Sequence, residues 1–327
     1  MAFRYINIGD GNGIFSPSQL LVVEDSQYSK TGKAFTVDFS DSTESTLAGT
    51  ITLPTPIGSD IWIKCDLYVD STSSSPRYFY LGFWITASSY NRKSYDTIEG
   101  LFLFNTLRLN MNNNYGSTEC KYTLKAQTVN KIWAHLHYEE STGTSYGELE
   151  CNGERFYQAG TRSSSAYAIG ADVEALKTIA FGFPKSYPCY LSNVIISDTE
   201  ISPKEQVIAL PTSETVTDMT SGETGIYIAD AVNQTLLQTV EASTLIENYG
   251  ASSAVTGIAL VGNPAYTTGT VLASMIGITK SGNASIVEHG TCDLSDDTEA
   301  GISTSWSTDN LTIADLQNMQ FGWKAGE

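Results

Sequence analysis

Positive charge is scarce in this 327-residue chain, where 18 Lys and Arg face 36 Asp and Glu for a net charge of −18. A surface of that sign repels phosphate backbones, so nucleic acid is not an expected partner. Long apolar runs are also missing. No stretch approaches the roughly 20 apolar residues of a spanning helix, and no membrane insertion is expected. The first residues, Met1-Ala2-Phe3-Arg4-Tyr5-Ile6-Asn7, lack the apolar centre of a secretory signal, so export by that route is not expected either. Cysteine is sparse and odd in number: Cys65, Cys120, Cys151, Cys189 and Cys292 are far apart and form no C-x-x-C pair. That pattern excludes a zinc knuckle or a dense disulfide framework and predicts free thiols packed as small hydrophobes.

What the chain does have is strand chemistry. It carries 18 Tyr and 27 Gly with only 17% charged residues, and Ser and Thr are abundant, a balance that favours strands and polar turns over helices. The clearest segment is NKIWAHLHYEESTGTSYGELECNGE, Asn130 to Glu154. From Ile132 to Tyr138 the side chains alternate, with Trp133, His135 and His137 on one face and Ala134, Leu136 and Tyr138 on the other. Turn residues around Gly143 lead into a return strand, Gly147 to Cys151, and Asn152-Gly153 suits a turn with positive φ. The segment therefore predicts a hairpin whose core residues are Leu136 and Tyr138, with the histidines on the opposite, polar face.

This hairpin resembles the centre of the laminin-G-like, concanavalin-A-like β-sandwich family. The flanks resemble it too: Ile61-Trp62-Ile63-Lys64-Cys65-Asp66-Leu67-Tyr68 upstream, then Thr178 to Phe183, Tyr190 to Ser197 and Glu200 to Glu205 downstream. The likeness covers residues 1–205 and implies a jelly roll. From Val207 to Gly225 alternation gives way to Thr, Ser, Glu and Gly, so 206–224 reads as a linker or crossing segment. Strand candidates resume over 225–327. The expected fold is all-β, two β-sandwich domains, the first concanavalin-A-like.

At the end of the chain, Trp306 to Trp323 resembles the terminal segment of β-sandwich modules from bacteriophage tail and other virion proteins. There Thr312 would cap a short helical turn with Asp315 at its positive end, and Leu316, Met319 and Phe321 would pack inward. Together the two resemblances imply a virion protein, located in an extracellular particle, with other virion proteins or a host-surface glycan as partners and a homo-oligomeric state.

Catalytic patterns are few. Glucanases on this sandwich use an E-x-D-x-E strand, whereas Glu148-Leu149-Glu150 offers two carboxylates beside the Asn-Gly turn and reads as solvated edge residues. No nucleophile elbow or phosphate loop is present. His135, His137 and Glu139 have the alternate spacing of metal ligands, with a polar sheet face as the competing reading. The acidic stretches Asp293 to Glu299 and Asp96 with Glu99 leave calcium open, without the loop order that would specify it, and no other cofactor is expected.

Recognition remains. The loops 87–100 and 110–116 place tyrosine rings beside amides, and Tyr90, Asn91, Tyr95, Asn112, Asn114 and Tyr115 are chemically suited to the C–H faces and hydroxyls of a glycan. The expected protein is not an enzyme but a bacteriophage virion or tail-associated protein that binds host-surface glycan or decorates the particle. A bacterial surface adhesin or carbohydrate-binding module, and a degenerate glycoside hydrolase, are the alternatives.

Overall fold

The computed structural model describes residues 4–10, 19–25, 27–29, 32–40, 42, 46–52, 60–70, 79–83, 99–103, 106–110, 122–139, 144–161, 178–185, 188–221, 227–262, 274–294 and 302–326. It is an all-β chain with two compact units. One comprises Met1–Phe3 and Asn7–Val207, the other Arg4–Ile6 and Ile208–Glu327.

The first unit is a sandwich of two antiparallel sheets. The larger runs, in spatial order, Glu154–Thr161, Thr144–Cys151, Val129–Glu139, Asp60–Val69, Cys189–Ser197, Ala34–Val37 and Leu20–Val23. The second runs Thr46–Thr52, Thr178–Pro184, Phe79–Phe83, Glu99–Leu103, Thr106–Asn110 and Tyr122–Thr123. The chain passes repeatedly from one sheet to the other, which is the jelly-roll path. Phe35 of the first sheet and Phe183 of the second meet between them at 5.9 Å, both fully buried.

Alternation decides which residues fill that interior. Along Asp60–Val69 the odd positions Ile61, Ile63, Cys65, Leu67 and Val69 form one face, and Cys65 and Ile63 lie opposite Ile132 and Ala134 of the neighbouring strand. All seven are essentially inaccessible to solvent. Burial pushes the Cys65 and Cys189 thiols well above their ordinary range, so these groups are inert packing elements, as expected. Cys151 is buried too, while Cys292 in the second unit is half-buried and donates its S–H to the Ser303 carbonyl at 3.0 Å. Cys120 lies outside the described residues.

The hairpin forms as expected, and its register sets Ala134 opposite Leu149 and His135 opposite Glu148. Asn152 and Gly153 both take positive φ, 52° and 87°. The Asn152 carboxamide closes the turn: its Oδ1 accepts from the Lys131 N–H at 2.9 Å and its Nδ2 donates to Asn130 Oδ1 at 3.1 Å. Of the two positions expected to point inward, Leu136 and Tyr138, the side chains lie outside the described residues.

In the second unit a five-stranded sheet, ordered Thr212–Thr217, Thr235–Val240, Met319–Gly326, Ser274–Ser281 and Val287–Asp293, is faced by the ribbon of Ala254–Gly262 and Ile302–Thr312. The layers approach closely where Gly277 and Gly290 sit opposite one another, because a Cβ on either glycine would overlap Thr304 of the ribbon. Two short helices, Ser243–Tyr249 and Ile313–Leu316, close one end over Leu245, Ile313, Leu316 and Phe321. Asp315 accepts from both the backbone N–H and the hydroxyl of Thr312, at 2.8 and 2.6 Å, and these bonds hold its carboxyl below the usual range.

One expectation about organisation changes. Within 206–224, read as a linker or crossing segment, Thr212–Thr217 is a strand paired with Thr235–Val240. Its Thr-rich sequence makes an edge strand, which needs an apolar residue on neither face to be paired. At the other end of the chain, the strand Arg4–Asn7 pairs with Cys189–Ser197 and so completes the large sheet.

Candidate functional site

The even positions of Asp60–Val69 build the opposite face of the large sheet. Asp60, Trp62, Lys64, Asp66 and Tyr68 point away from the sandwich interior, and the register extends their rows sideways. One row runs Glu148, His135, Trp62, Ser197; the next runs Arg155, Glu150, Trp133, Lys64, Ile195. Such a face would ordinarily be solvated. Here much of it is buried.

The cover is the segment that follows the last strand of the sheet. Trp133 donates its indole N–H to the Ile201 carbonyl at 2.6 Å, and Ile201 itself is fully buried. Lys64 donates to the Pro203 carbonyl at 2.6 Å and also to the Glu205 carbonyl. Burial holds the Lys64 ammonium below its ordinary pKa, opposed in part by the Asp66 and Glu205 carboxylates. Asp66 in turn accepts from Asn193 Nδ2 at 2.8 Å.

Beside this strap lies an aromatic and ionic cluster. His135 stacks on Trp62 with ring centroids 4.4 Å apart and planes 2° from parallel. Its Nε2 is 2.7 Å from Asp60 Oδ1 and its Nδ1 is 3.9 Å from Glu148 Oε2, so the imidazole sits between two carboxylates. Glu148 also pairs with Arg155, whose guanidinium lies 4.9 Å above the Trp133 ring. The cluster opens outward: the His135 side chain is 11% exposed, Asp60 and Glu148 are 27% and Arg155 is 54%.

These positions correct parts of the sequence reading. His135 is on the polar face, as alternation implied, but it is packed rather than solvated. Glu148 is not an edge residue, because Glu154–Thr161 continues the sheet beyond it. Asp60 and Arg155, which complete the cluster, carried no signal in the sequence. Asp60 is 75 residues from His135 along the chain.

The His135 cluster is not arranged as a hydrolytic dyad. In a hydrolytic dyad a carboxylate orients one imidazole nitrogen and the other faces a nucleophile. Both nitrogens of His135 face carboxylates, and one of those carboxylates is already shared with arginine. Among the described residues, no group of three His, Cys, Asp or Glu is placed to hold a metal. The side chains of His137 and Glu139, and the acidic stretch 295–299 with Asp96, lie outside the described residues. So do all six residues suited to a glycan, Tyr90, Asn91, Tyr95, Asn112, Asn114 and Tyr115.

No family profile and no curated protein matches this sequence. Solved structures similar to it include a carbohydrate esterase from the Shiga toxin-encoding bacteriophage phi24B, at 10% identity and a TM-score of 0.40 over 60% of this chain and 99% of that one. Others are the winged bean acidic lectin complexed with methyl-α-D-galactose, at 9% identity and 0.38 over 60% and 98%, and a GH131 β-glucanase catalytic domain from Podospora anserina, at 12% and 0.33 over 61% and 86%. Likeness at this level transfers neither an activity nor a ligand.

Proposed function

We propose that this protein is a non-enzymatic glycan-recognition protein of a bacteriophage-type particle, attached to the virion or tail and binding host-surface sugar through its first unit. The observation that carries the reading is the Trp62–His135 stack bracketed by Asp60, Glu148 and Arg155. The part of the Trp62 indole that stays exposed supplies apolar surface for sugar C–H groups, and the surrounding carboxylates and guanidinium supply acceptors and donors for hydroxyls. The stack and the ion pairs fix these groups before a ligand arrives, which lowers the ordering cost of binding.

The loops 87–100 and 110–116, with Tyr95 and Tyr115, are proposed as a second part of the recognition edge. The virion assignment is supported by the terminal segment, where Thr312 and Asp315 form the capped turn characteristic of the modules it resembles. A bacterial adhesin would use the same surface, and the two differ in whether the protein is found on a particle. The glycan part of the reading is tested on a carbohydrate array displaying the full chain in multivalent form. Binding that falls on Trp62→Ala while melting stays cooperative is the expected result; absence of binding to every sugar contradicts it.

A further inference from the structure

At the far end of the same sheet face, six residues along the strand from Trp62 and so about 20 Å away, three tyrosines from three segments converge. Tyr68 and Tyr190 are cross-strand partners. Tyr28, from the turn after Leu20–Val23, stacks on Tyr190 with centroids 4.2 Å apart and planes at 29°, and meets Tyr68 edge-on at 4.8 Å. Gln27 donates its carboxamide to the Tyr68 hydroxyl at 2.7 Å. Tyr68 is buried, whereas Tyr28 and Tyr190 remain half-exposed.

None of this packing serves the sandwich interior, which lies on the opposite face with Leu67, Val69 and Leu191. Nor does the 201–205 strap reach it through any described bond: those bonds fall on Trp133 and Lys64, nearer the middle of the face. The turn carrying Tyr28 is itself held by the bond from the Gln27 N–H to Asp25 Oδ1 at 2.8 Å and that from the Tyr28 N–H to the Asp25 carbonyl at 3.1 Å. The rings are thus fixed by backbone and amide contacts and leave a half-exposed edge of two tyrosines at the surface. Asp70 stands next to this edge and acts on Tyr190: burial first, then Tyr28 and Asp70, push the phenol above its ordinary pKa and keep it a neutral donor.

We propose that Tyr28, Tyr190, Gln27 and Asp70 form a second sugar subsite, specific for neutral hexopyranosides, separate from the Trp62–His135 surface. The proposal rests on the glycan-recognition reading and adds a second point of attachment to it. Tyr28 and Tyr190 stack on each other at 4.2 Å and so cover one face of each ring, and the part of each that stays half-exposed presents apolar surface for pyranose C–H groups. The amide and carboxylate beside them accept and donate to hydroxyls. Sialic and uronic acids are disfavoured by Asp70 locally and by the net charge of −18 overall. With the strap lying over the middle of the face, the two subsites take separate sugars of one branched or repeating glycan and gain avidity by linkage.

The test titrates the full chain with neutral oligosaccharides, glucans, galactans and mannans of four to eight units, and with sialylated and uronic-acid oligosaccharides, by calorimetry and tyrosine fluorescence. Tyr28→Ala is expected to weaken neutral-glycan binding two- to tenfold, the range for one lost aromatic contact. Tyr28→Phe should restore it, and acidic sugars should bind more weakly throughout. Gln27→Ala, which leaves the ring stack in place, provides a variant that tests the site even where Tyr28→Ala melts early. Wild-type affinity in both Tyr28→Ala and Gln27→Ala, with loss in Trp62→Ala, overturns the second subsite and leaves the primary reading standing. Loss in the Tyr28 and Gln27 variants but not in Trp62→Ala supports the subsite and contradicts the primary surface. No binding of any sugar by the wild-type chain overturns both.

Discussion

His135 and Trp62 are direct cross-strand neighbours whose rings lie parallel, 2° apart in plane and 4.4 Å apart at their centres. The pair places a titratable ring between an indole and two carboxylates, and its removal would disturb all three. His135→Ala is therefore expected to destabilise the protein by about 1–3 kcal/mol, because it removes both the ring stack on Trp62 and the bond to half-buried Asp60. A solvated histidine would have been near neutral. Chemical denaturation of the full chain measures the difference, and a loss below about 0.5 kcal/mol would show that the stack contributes nothing.

On the other face of the same strand, Ile132 is fully buried between Cys65 and Cys151. Ile132→Ala should cost about 2–5 kcal/mol, the lost transfer energy plus the cavity it leaves. Equal losses at Ile132 and at the exposed Lys131 would place the core on the wrong face.

The second unit carries its own pH dependence. His289 stacks on Trp306 at 3.9 Å and contacts Thr279 Oγ1 at 2.7 Å, and burial lowers its pKa below the ordinary 6.5. The unfolded chain then binds a proton that the folded one refuses, so this contribution is intact above about pH 6.5 and is lost as pH falls from there through the lowered value. Thermal melts at pH 7.5 and pH 5 should separate in the wild type and converge in His289→Gln. A gap unchanged in that variant would assign the pH response to other groups.

Close approach sets another expectation. Any Cβ at Gly277 would meet Thr304, so Gly277→Ala should cost about 1–3 kcal/mol by overpacking, and Thr304→Ser should recover part of that loss by removing the opposing methyl. A double-mutant cycle reads this directly, and additive losses would mean that the two residues do not collide.

Much of this architecture could be read from local sequence. The alternation of Ile132 to His135 assigned faces, the Asn152-Gly153 step located a turn, and Thr312 with Asp315 marked a helix start, because each rule acts within a few residues. The candidate site was less legible for the complementary reason. Trp133 and Lys64 are covered by backbone carbonyls of Ile201, Pro203 and Glu205, and carbonyls leave no side-chain signature. Asp60 reaches His135 across a sheet register that no local pattern encodes. Tyr28 and Tyr190 likewise meet only after the strands are ordered, which is why eighteen tyrosines could not be ranked by inspection.

Glycan binding through the non-core face of the large sheet is the central claim, and Trp62 is the residue on which it turns. The most direct measurement is the affinity of the multivalent full chain for its best array sugar, wild type against Trp62→Ala, with circular dichroism melts run in parallel. A five- to tenfold loss, of the order of 1 kcal/mol per site, with folding retained is the predicted result. Undiminished binding in a folded Trp62→Ala protein, or no sugar bound by the wild type, would contradict it.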